Sequence, residues 1–119
     1  MWNVVLRPMF LAWFQSLSSE DKVNVRASLE LLKEKGPNLP RPHVDTLSNT
    51  KLKKLKELRV QSHGKPLRVF FAFDPERRCV VLCAGDKTGD KRFYKKMIPI
   101  AEDEFKEHLQ EIDNEKSNT

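Results

Sequence analysis

Alternation of apolar and polar positions predicts three consecutive strands in the middle of the chain. In the first segment, Leu58 and Val60 point to one side, and Glu57, Arg59 and Gln61 point to the other. The segment from Leu67 to Phe73 alternates in the same way, with Arg68 on the side opposite Leu67. The third segment, Cys79 to Ala84, is apolar on both sides, which predicts a strand that is covered on both faces.

Glycine and proline mark the turns between these strands. Ser62 to Pro66 contains Gly64 and reads as a hairpin connection, and Asp74-Pro75 begins a second turn. The two arginines Arg59 and Arg68 then lie on neighbouring strands. They share a face only if the hairpin register places them there, and the sequence alone does not fix that register.

A different period predicts the helices near the N-terminus. Trp2 to Leu6 is a short apolar strand that ends at Arg7-Pro8. A helical stripe follows, formed by Phe10, Trp13, Phe14 and Leu17. A second helix is capped by Ser18 or Ser19, continues through Val25, Leu29 and Leu32, and ends at Gly36-Pro37.

The C-terminal part of the chain predicts two helical segments. Phe93, Met97 and Ile98 form the first stripe, and Pro99 is expected to interrupt it. The second stripe is formed by Ala101, Phe105, Leu109 and Ile112. His108 lies among carboxylates and is predicted to be a surface residue, and residues 38–49 are predicted to be a loop.

The predicted element order is β-α-α-β-β-β-α, which indicates an α+β fold. An N-terminal strand and a helical hairpin pack on a largely antiparallel sheet, a C-terminal helix follows, and the helices are expected on one face. The length of 119 residues predicts a single domain, at 1–113, followed by a polar tail at 114–119.

Charge is divided unevenly along the chain. The net charge is +5, but residues 101–119 hold seven acidic and two basic side chains, so the preceding part is strongly basic. A basic body favours a polyanionic partner, although an ordinary solvated surface has the same composition. No apolar run approaches the length of a membrane span, and no secretory signal is recognisable. Cys79 and Cys83 lie too far apart on one strand to bond, so we expect buried, reduced thiols and a cytoplasmic protein.

Basic side chains and one tyrosine are the candidate chemistry. Arginine binds phosphate through a planar fork and stabilises the charge of a transition state. Tyrosine stacks on a base or relays a proton, but a Lys or Tyr base needs a cationic neighbourhood to lower its pKa from about 10. No cluster has metal-ligand spacing, and no cofactor is predicted. In the simplest alternative, Arg59 and Arg68 only pair with Glu57 and Asp74, and Lys51 to Lys56 is a solvated run.

Several motifs in a fixed order resemble a known family. They are Lys35-Gly36-Pro37 with Leu39, Arg41-Pro42, Leu47, Lys56 to Val60, Arg68 to Pro75, Gly85-Asp86-Lys87, and Phe93-Tyr94 with Met97-Ile98. From Trp2 to about Leu109 the chain resembles RelE-superfamily toxins of bacterial type II toxin–antitoxin systems, in particular the phage-derived, HigB-like branch.

The resemblance implies a metal-independent endoribonuclease that cuts mRNA in the ribosome. In such an enzyme the 2′-hydroxyl attacks the adjacent phosphate. By matching position, the implied catalytic residues are Arg59, Arg68, Lys87, Arg92 and Tyr94. The implied RNA-binding residues are Lys51, Lys53, Lys54, Lys56, Lys65, Lys91 and Lys95.

The resemblance also implies partners and leaves alternatives. The partners are the ribosome, its mRNA and a helix-turn-helix antitoxin, with operator DNA bound only through the antitoxin complex. The acidic C-terminal helix would face that antitoxin or shield the basic surface. A toxin of the ParE branch, which shares the fold but inhibits DNA gyrase, is the main alternative, and an inactive RNA-binding relative is another.

Overall fold

The computed structural model describes residues 1–117. Its strands are β1 (Val4–Leu6), β2 (Val44–Thr46), β3 (Lys56–Ser62), β4 (Lys65–Phe73) and β5 (Cys79–Asp86). Its helices are α1 (Pro8–Gln15), α2 (Ser19–Lys35) and α3 (Phe93–Ser117), with a 3-10 turn at Gly36–Asn38. The α+β class and the element types predicted from the sequence are confirmed, and the architecture is compatible with a RelE-like fold.

One five-stranded sheet organises the molecule, in the order β1-β5-β4-β3-β2. Strands β2 to β5 pair antiparallel, and β1 joins β5 in parallel. Strand β2 was not predicted, because three residues are too few to show alternation. It forms within the predicted loop, where Val44 pairs with Leu58 of β3.

The helices cover both faces of the sheet, so the prediction that they lie on one face is wrong. Phe10 of α1 and Val25 of α2 pack with Leu58 and Val69 in one cluster. Phe105 of α3 packs with Phe70, Val80 and Leu82 in a second cluster on the opposite face. The alternation of β4 supplies apolar side chains to both clusters, and its sequence is therefore apolar almost throughout.

Helix α3 is continuous through Pro99, contrary to the predicted interruption. Proline costs a helix about 3 kcal/mol by removing a hydrogen bond and crowding the preceding turn. Here the apolar residues on both sides of Pro99, including Ile98 and Ala101, belong to one cluster and hold the helix together. The helix also runs past the predicted tail boundary at Asn114 as far as Ser117, and residues 118–119 lie outside the described residues.

The two cysteines are free and buried, as predicted. A bulge lets Phe70 face Cys83 while Phe71 faces Val81, so Leu82 is an extra residue in β5. Cys79 and Cys83 consequently lie in different clusters on opposite faces. Burial raises the pKa of each thiol to about 12. Among residues 1–117 no helix is long and apolar enough to cross a membrane.

Candidate active site

The hairpin between β3 and β4 brings two arginines face to face. Its loop is His63-Gly64, and both residues have positive φ, at 49° and 78°. Two-residue loops with this backbone match the twist of paired strands and fix their register. In that register Arg59 is the direct cross-strand partner of Arg68. Direct partners project to the same face, so the register that the sequence left open places both arginines on one face.

Glu57 lies on the same face and is the centre of the cluster. Its side chain is 3% exposed. The hydroxyl of Tyr94 donates to Oε1 of Glu57 at 2.6 Å. The guanidinium of Arg68 lies 3.6 Å from Oε1, and that of Arg59 lies 3.5 Å from Oε2. A buried carboxylate is tolerated only when it is paired in this way.

Sequence reasoning treated Glu57 only as a pairing partner, so it missed the central position of this carboxylate. The signal was a charged residue between strand positions that become buried, but its contact with Tyr94 depends on the packing of α3. The alternative in which both arginines pair with Glu57 is present in the structure. The part of that alternative that pairs an arginine of the hairpin with Asp74 is wrong, because Asp74 instead contacts Arg78 and His108, each at 2.9 Å.

Each arginine keeps one buried donor without an acceptor. The Nε atoms of Arg59 and Arg68 have no hydrogen-bond partner among the described residues. The contact of Arg68 Nε with Glu57 is too long for a hydrogen bond. An unsatisfied buried donor costs about 1–3 kcal/mol, and an anion bound at the arginines would supply the acceptors.

A second carboxylate borders the cluster on the β2 side. Asp45 accepts from Arg59 at 3.1 Å and from Arg41 at 2.9 Å. The hydrogen bond from Arg41 is the main reason why the pKa of Asp45 lies below its ordinary value. Because Arg41 also donates to Asp45, this one carboxylate offsets only part of the positive charge of the two arginines.

Tyr94 does not have the lowered pKa that a tyrosine base requires. Burial raises its pKa above the ordinary value, and the hydrogen bond and negative charge of Glu57 raise it further, against the opposing effect of Arg68. The cationic neighbourhood that a tyrosine base needs therefore does not lower the pKa of Tyr94. Its hydroxyl is a donor near neutral pH. The ammonium of Lys87 lies over its ring, 5.1 Å from the centroid.

The start of α3 places further basic residues around Tyr94. Arg92 and Lys91 are exposed, and no side-chain partner holds either of them within residues 1–117. Lys95 and Lys51 line a cleft of about 280 Å³ beside Tyr94. The structure thus gathers Arg59, Arg68, Lys87 and Tyr94, with Arg92 at the margin.

Helix α3 also holds the basic loop in place. Oε2 of Glu102 accepts the backbone N–H groups of Lys51 at 2.5 Å and Leu52 at 3.1 Å. Glu102 lines the same cleft as Tyr94. One helix therefore positions both the tyrosine and the loop that carries the first lysine.

The other lysines of the sequence-based set lie elsewhere. Lys53, Lys54 and Lys56 line a separate groove of about 860 Å³ at the end of the sheet. Lys65 projects towards α2, where it pairs with Asp21 beside Ser62. Lys65 and Arg68 are three positions apart in β4. An odd separation in a strand reverses the direction of a side chain, so Lys65 lies on the face opposite the arginines. Residues 1–117 contain no group of three or more His, Cys, Asp or Glu arranged to hold a metal ion.

Comparison with known proteins gives a consistent family. Residues 12–106 match the family described as phage derived protein Gp49-like. The chain is 40% identical over 100 residues to “Putative toxin HigB3” of Mycobacterium tuberculosis, covering 83% of this chain and 86% of that relative. It is also 40% identical over 107 residues to “Putative toxin HigB2” of the same organism, covering 88% of this chain and 53% of the relative. The chain spans about half the length of the latter protein.

The family match and the first relative each cover most of the chain, and the fold agrees with both. The chain therefore belongs to the phage-derived Gp49-like family, a family of RelE-like toxins.

Proposed function

We propose that this chain is the toxin of a type II toxin–antitoxin system and that it cuts translated mRNA on the ribosome, as a metal-independent endoribonuclease. The observation that carries the proposal is the cluster around Glu57. Two opposed arginines, each with a buried donor that lacks an acceptor, share one face with Tyr94 and Lys87. Such a set suits a phosphodiester better than a purely structural role.

The two arginines bind the scissile phosphate. Their free Nε donors and terminal nitrogens form two forks that can each contact two phosphate oxygens. The negative charge on these oxygens increases in the pentacovalent transition state, so donors fixed by a rigid hairpin stabilise it more than the ground state. The rigid two-residue loop at His63-Gly64 supports this role.

Glu57 is the general base in this proposal. Its carboxylate takes the proton of the 2′-hydroxyl, the 2′-oxygen bonds to phosphorus, and the bond from phosphorus to the 5′-oxygen breaks. The products are a 2′,3′-cyclic phosphate and a 5′-hydroxyl. The raised pKa of Tyr94 supports the choice of Glu57, because Tyr94 remains a donor that orients the carboxylate.

A cation near Tyr94 completes the reaction by donating a proton to the departing 5′-oxygen. Lys87 is assigned this role because its ammonium lies over the Tyr94 ring. Arg92, exposed at the start of α3, is assigned to RNA held outside the cluster. Lys51 and Lys95 line the cleft beside Tyr94 and bind the RNA backbone next to the cut. Lys91, exposed just before α3, is assigned to the same backbone.

The proposed partners follow from the toxin assignment. They are the ribosome with its mRNA in the cytoplasm, and an antitoxin with a helix-turn-helix DNA-binding fold that carries the complex to operator DNA. No specific observation favours inhibition of DNA gyrase, which remains the alternative that the following experiment separates.

The test is induced expression of the wild-type chain and of Arg68→Ala, with mRNA 5′ ends and chromosome integrity measured in the same cells. We expect wild type to arrest growth and to create new mRNA ends within translated codons. Arg68→Ala, shown to be folded by circular dichroism, should do neither. Growth arrest with intact mRNA and a damaged chromosome would replace the nuclease with a gyrase inhibitor.

A further inference from the structure

A large groove at the end of the sheet is separate from the cluster around Glu57. It has a volume of about 860 Å³, and elements from three parts of the chain form its floor. The floor is apolar and consists of Trp2, Phe73, Phe105 and Leu109. Phe105 and Leu109 lie on successive turns of α3. Trp2 packs edge-on against Phe73, with the ring centroids 5.3 Å apart.

Trp2 is packed tightly against the end of α2. Trp2 lies against Gly36, where an added Cβ would meet the indole nitrogen at 2.2 Å. Gly36 also has φ of +56°, so it ends α2 in a conformation that favours glycine. A side chain packed in this way needs little reorganisation when a partner binds.

The rim of the groove is cationic. Its four basic side chains are Lys53, Lys54, Lys56 and Arg77. Asp74 also lines the groove, but Arg78 and His108 engage its charge. No carboxylate pairs with any of the four rim cations within residues 1–117. The charge left at the rim is therefore positive.

We infer that this groove binds an acidic amphipathic helix of the antitoxin. The apolar floor accommodates side chains at successive helical turns, and the basic rim is complementary to carboxylates on the polar flanks of such a helix. The volume exceeds what one stacked base would fill and suits several apolar side chains. The identity of the partner rests on the proposed function, whereas the chemistry of the occupant rests on the groove.

A helix bound in this groove also neutralises the toxin. Lys53, Lys54 and Lys56 belong to the basic run assigned to RNA, and they form the rim of the groove. An acidic helix seated there covers these lysines, so the toxin cannot use them on the ribosome. The cluster around Glu57 need not be entered.

The test uses three synthetic peptides of about 14 residues, enough for roughly four helical turns. The first has Leu and Phe on one helical face and Glu elsewhere, the second replaces Glu by Lys, and the third scrambles the first. Binding to the full chain is followed by NMR through the indole N–H signals of Trp2, in the groove, and Trp13, on α1. A single-stranded RNA oligonucleotide is titrated in parallel.

We expect the first peptide alone to shift the Trp2 signal in a saturable way and to leave Trp13 unchanged. Lys53→Glu with Lys54→Glu should weaken binding by about tenfold or more. The matched pair Lys91→Glu with Lys95→Glu makes the same change in net charge beside Tyr94, and it should weaken binding by less than about twofold.

Equal loss in both pairs would mean nonspecific attraction and would overturn the inference. So would a Trp2 signal that responds to the RNA but not to the acidic peptide. Neither readout involves cleavage, so a failure here leaves the nuclease proposal standing. Conversely, a chain that cuts no mRNA can still bind the peptide.

Discussion

At the scale of single residues, one carboxylate explains the arrangement of its neighbours. Glu57 is almost fully buried and receives a hydrogen bond from Tyr94, while Arg59 and Arg68 lie 3.5–3.6 Å away. The arginines are therefore close enough to stabilise the carboxylate, but neither guanidinium forms a short bidentate salt bridge with it. In the proposed function, a bound phosphate takes over these free donors.

Glu57→Gln separates the roles of this residue. The amide keeps the shape and can still accept from Tyr94, but it cannot take a proton at neutral pH. We expect kcat to fall by about 10²–10⁴-fold, the usual contribution of a general base. KM should not rise, because the arginines lose a competing anion. Steady-state cleavage rates over a range of mRNA concentrations measure both parameters.

The result is informative in either direction. If Glu57→Gln cleaves at the rate of wild type, Glu57 is not the base and acts only as a structural counterion. Asp103→Asn, an exposed acidic position on α3, is the control for a change in charge of the same size.

At the scale of elements, α3 links the cluster to its surroundings. It begins with Phe93 packed close to Gly85, where an added Cβ would lie 2.9 Å from the ring, and Tyr94 follows directly. Two turns later Glu102 holds the basic loop. Farther on, Glu104 and Glu111 bind the buried Arg7, which secures the helix to the start of α1.

Loss of the Glu102 carboxylate should release the loop. In Glu102→Ala the N–H groups of Lys51 and Leu52 lose their acceptor, so we expect KM for mRNA to rise while kcat changes little. Glu102→Gln retains an acceptor and should restore most of the affinity. Hydrogen exchange at Lys51 and Leu52 gives an independent readout, and unchanged exchange in Glu102→Ala would contradict the role.

The buried pair of Asp74 and His108 connects the β4–β5 turn to α3 and was not anticipated. His108 was predicted to lie on the surface, but it is 4% exposed and contacts Asp74 at 2.9 Å. Burial opposes ionisation of Asp74, but the hydrogen bonds from His108 and Arg78 outweigh it, so the pKa of Asp74 lies below its ordinary value.

A lowered carboxyl pKa gives a definite dependence of stability on pH. The contribution of Asp74 is present above its unfolded pKa of about 4 and is lost as the pH falls through the lower folded value. We expect Asp74→Asn to lower the free energy of unfolding by about 3 kcal/mol at neutral pH, because it weakens a buried pair. Denaturant titrations at several pH values should show the difference shrinking on acidification, and a constant difference would contradict the account.

The elements also show how far the sequence could predict the structure. Alternation located β3 and β4 closely, and a continuous apolar run located β5, because both of its faces are buried. The continuity of α3 through Pro99 and the burial of His108 could not be read locally, because both depend on packing against the sheet. The cluster shows the same limit. The sequence identified its arginines, but the central position of Glu57 depends on the packing of α3, and the position of Lys65 on the opposite face depends on the strand register.

At the scale of the whole molecule, charge is divided between a basic body and an acidic C-terminal helix. Part of that acidity acts within the fold, since Glu102, Glu104 and Glu111 bind the loop and Arg7. Ala101, Phe105 and Ile112 of the same helix are buried. Deletion of the helix would therefore disrupt the core, and its surface role is better tested by substituting exposed acids.

The face of the sheet on which a lysine lies predicts whether that lysine contributes to RNA binding. The logarithm of the affinity for RNA should fall linearly with the logarithm of the salt concentration, and each lysine lost from the interface should reduce the slope by about 1. We expect this reduction for Lys95→Ala. Lys65→Ala should leave the slope unchanged, because Lys65 pairs with Asp21 on the opposite face. Equal reductions in the two variants, both checked for folding, would mean that the RNA also contacts Lys65 on the face of α2.

The central claim is that this face directs the attack of a 2′-hydroxyl on the neighbouring phosphate. The most direct measurement uses purified chain and purified ribosomes programmed with one mRNA, synthesised with and without a single 2′-deoxy nucleotide at the mapped cleavage position. The account predicts a 2′,3′-cyclic phosphate and a 5′-hydroxyl from the all-ribose mRNA, and no cleavage at that position when the 2′-hydroxyl is missing. Cleavage of the 2′-deoxy mRNA at the same bond would contradict it.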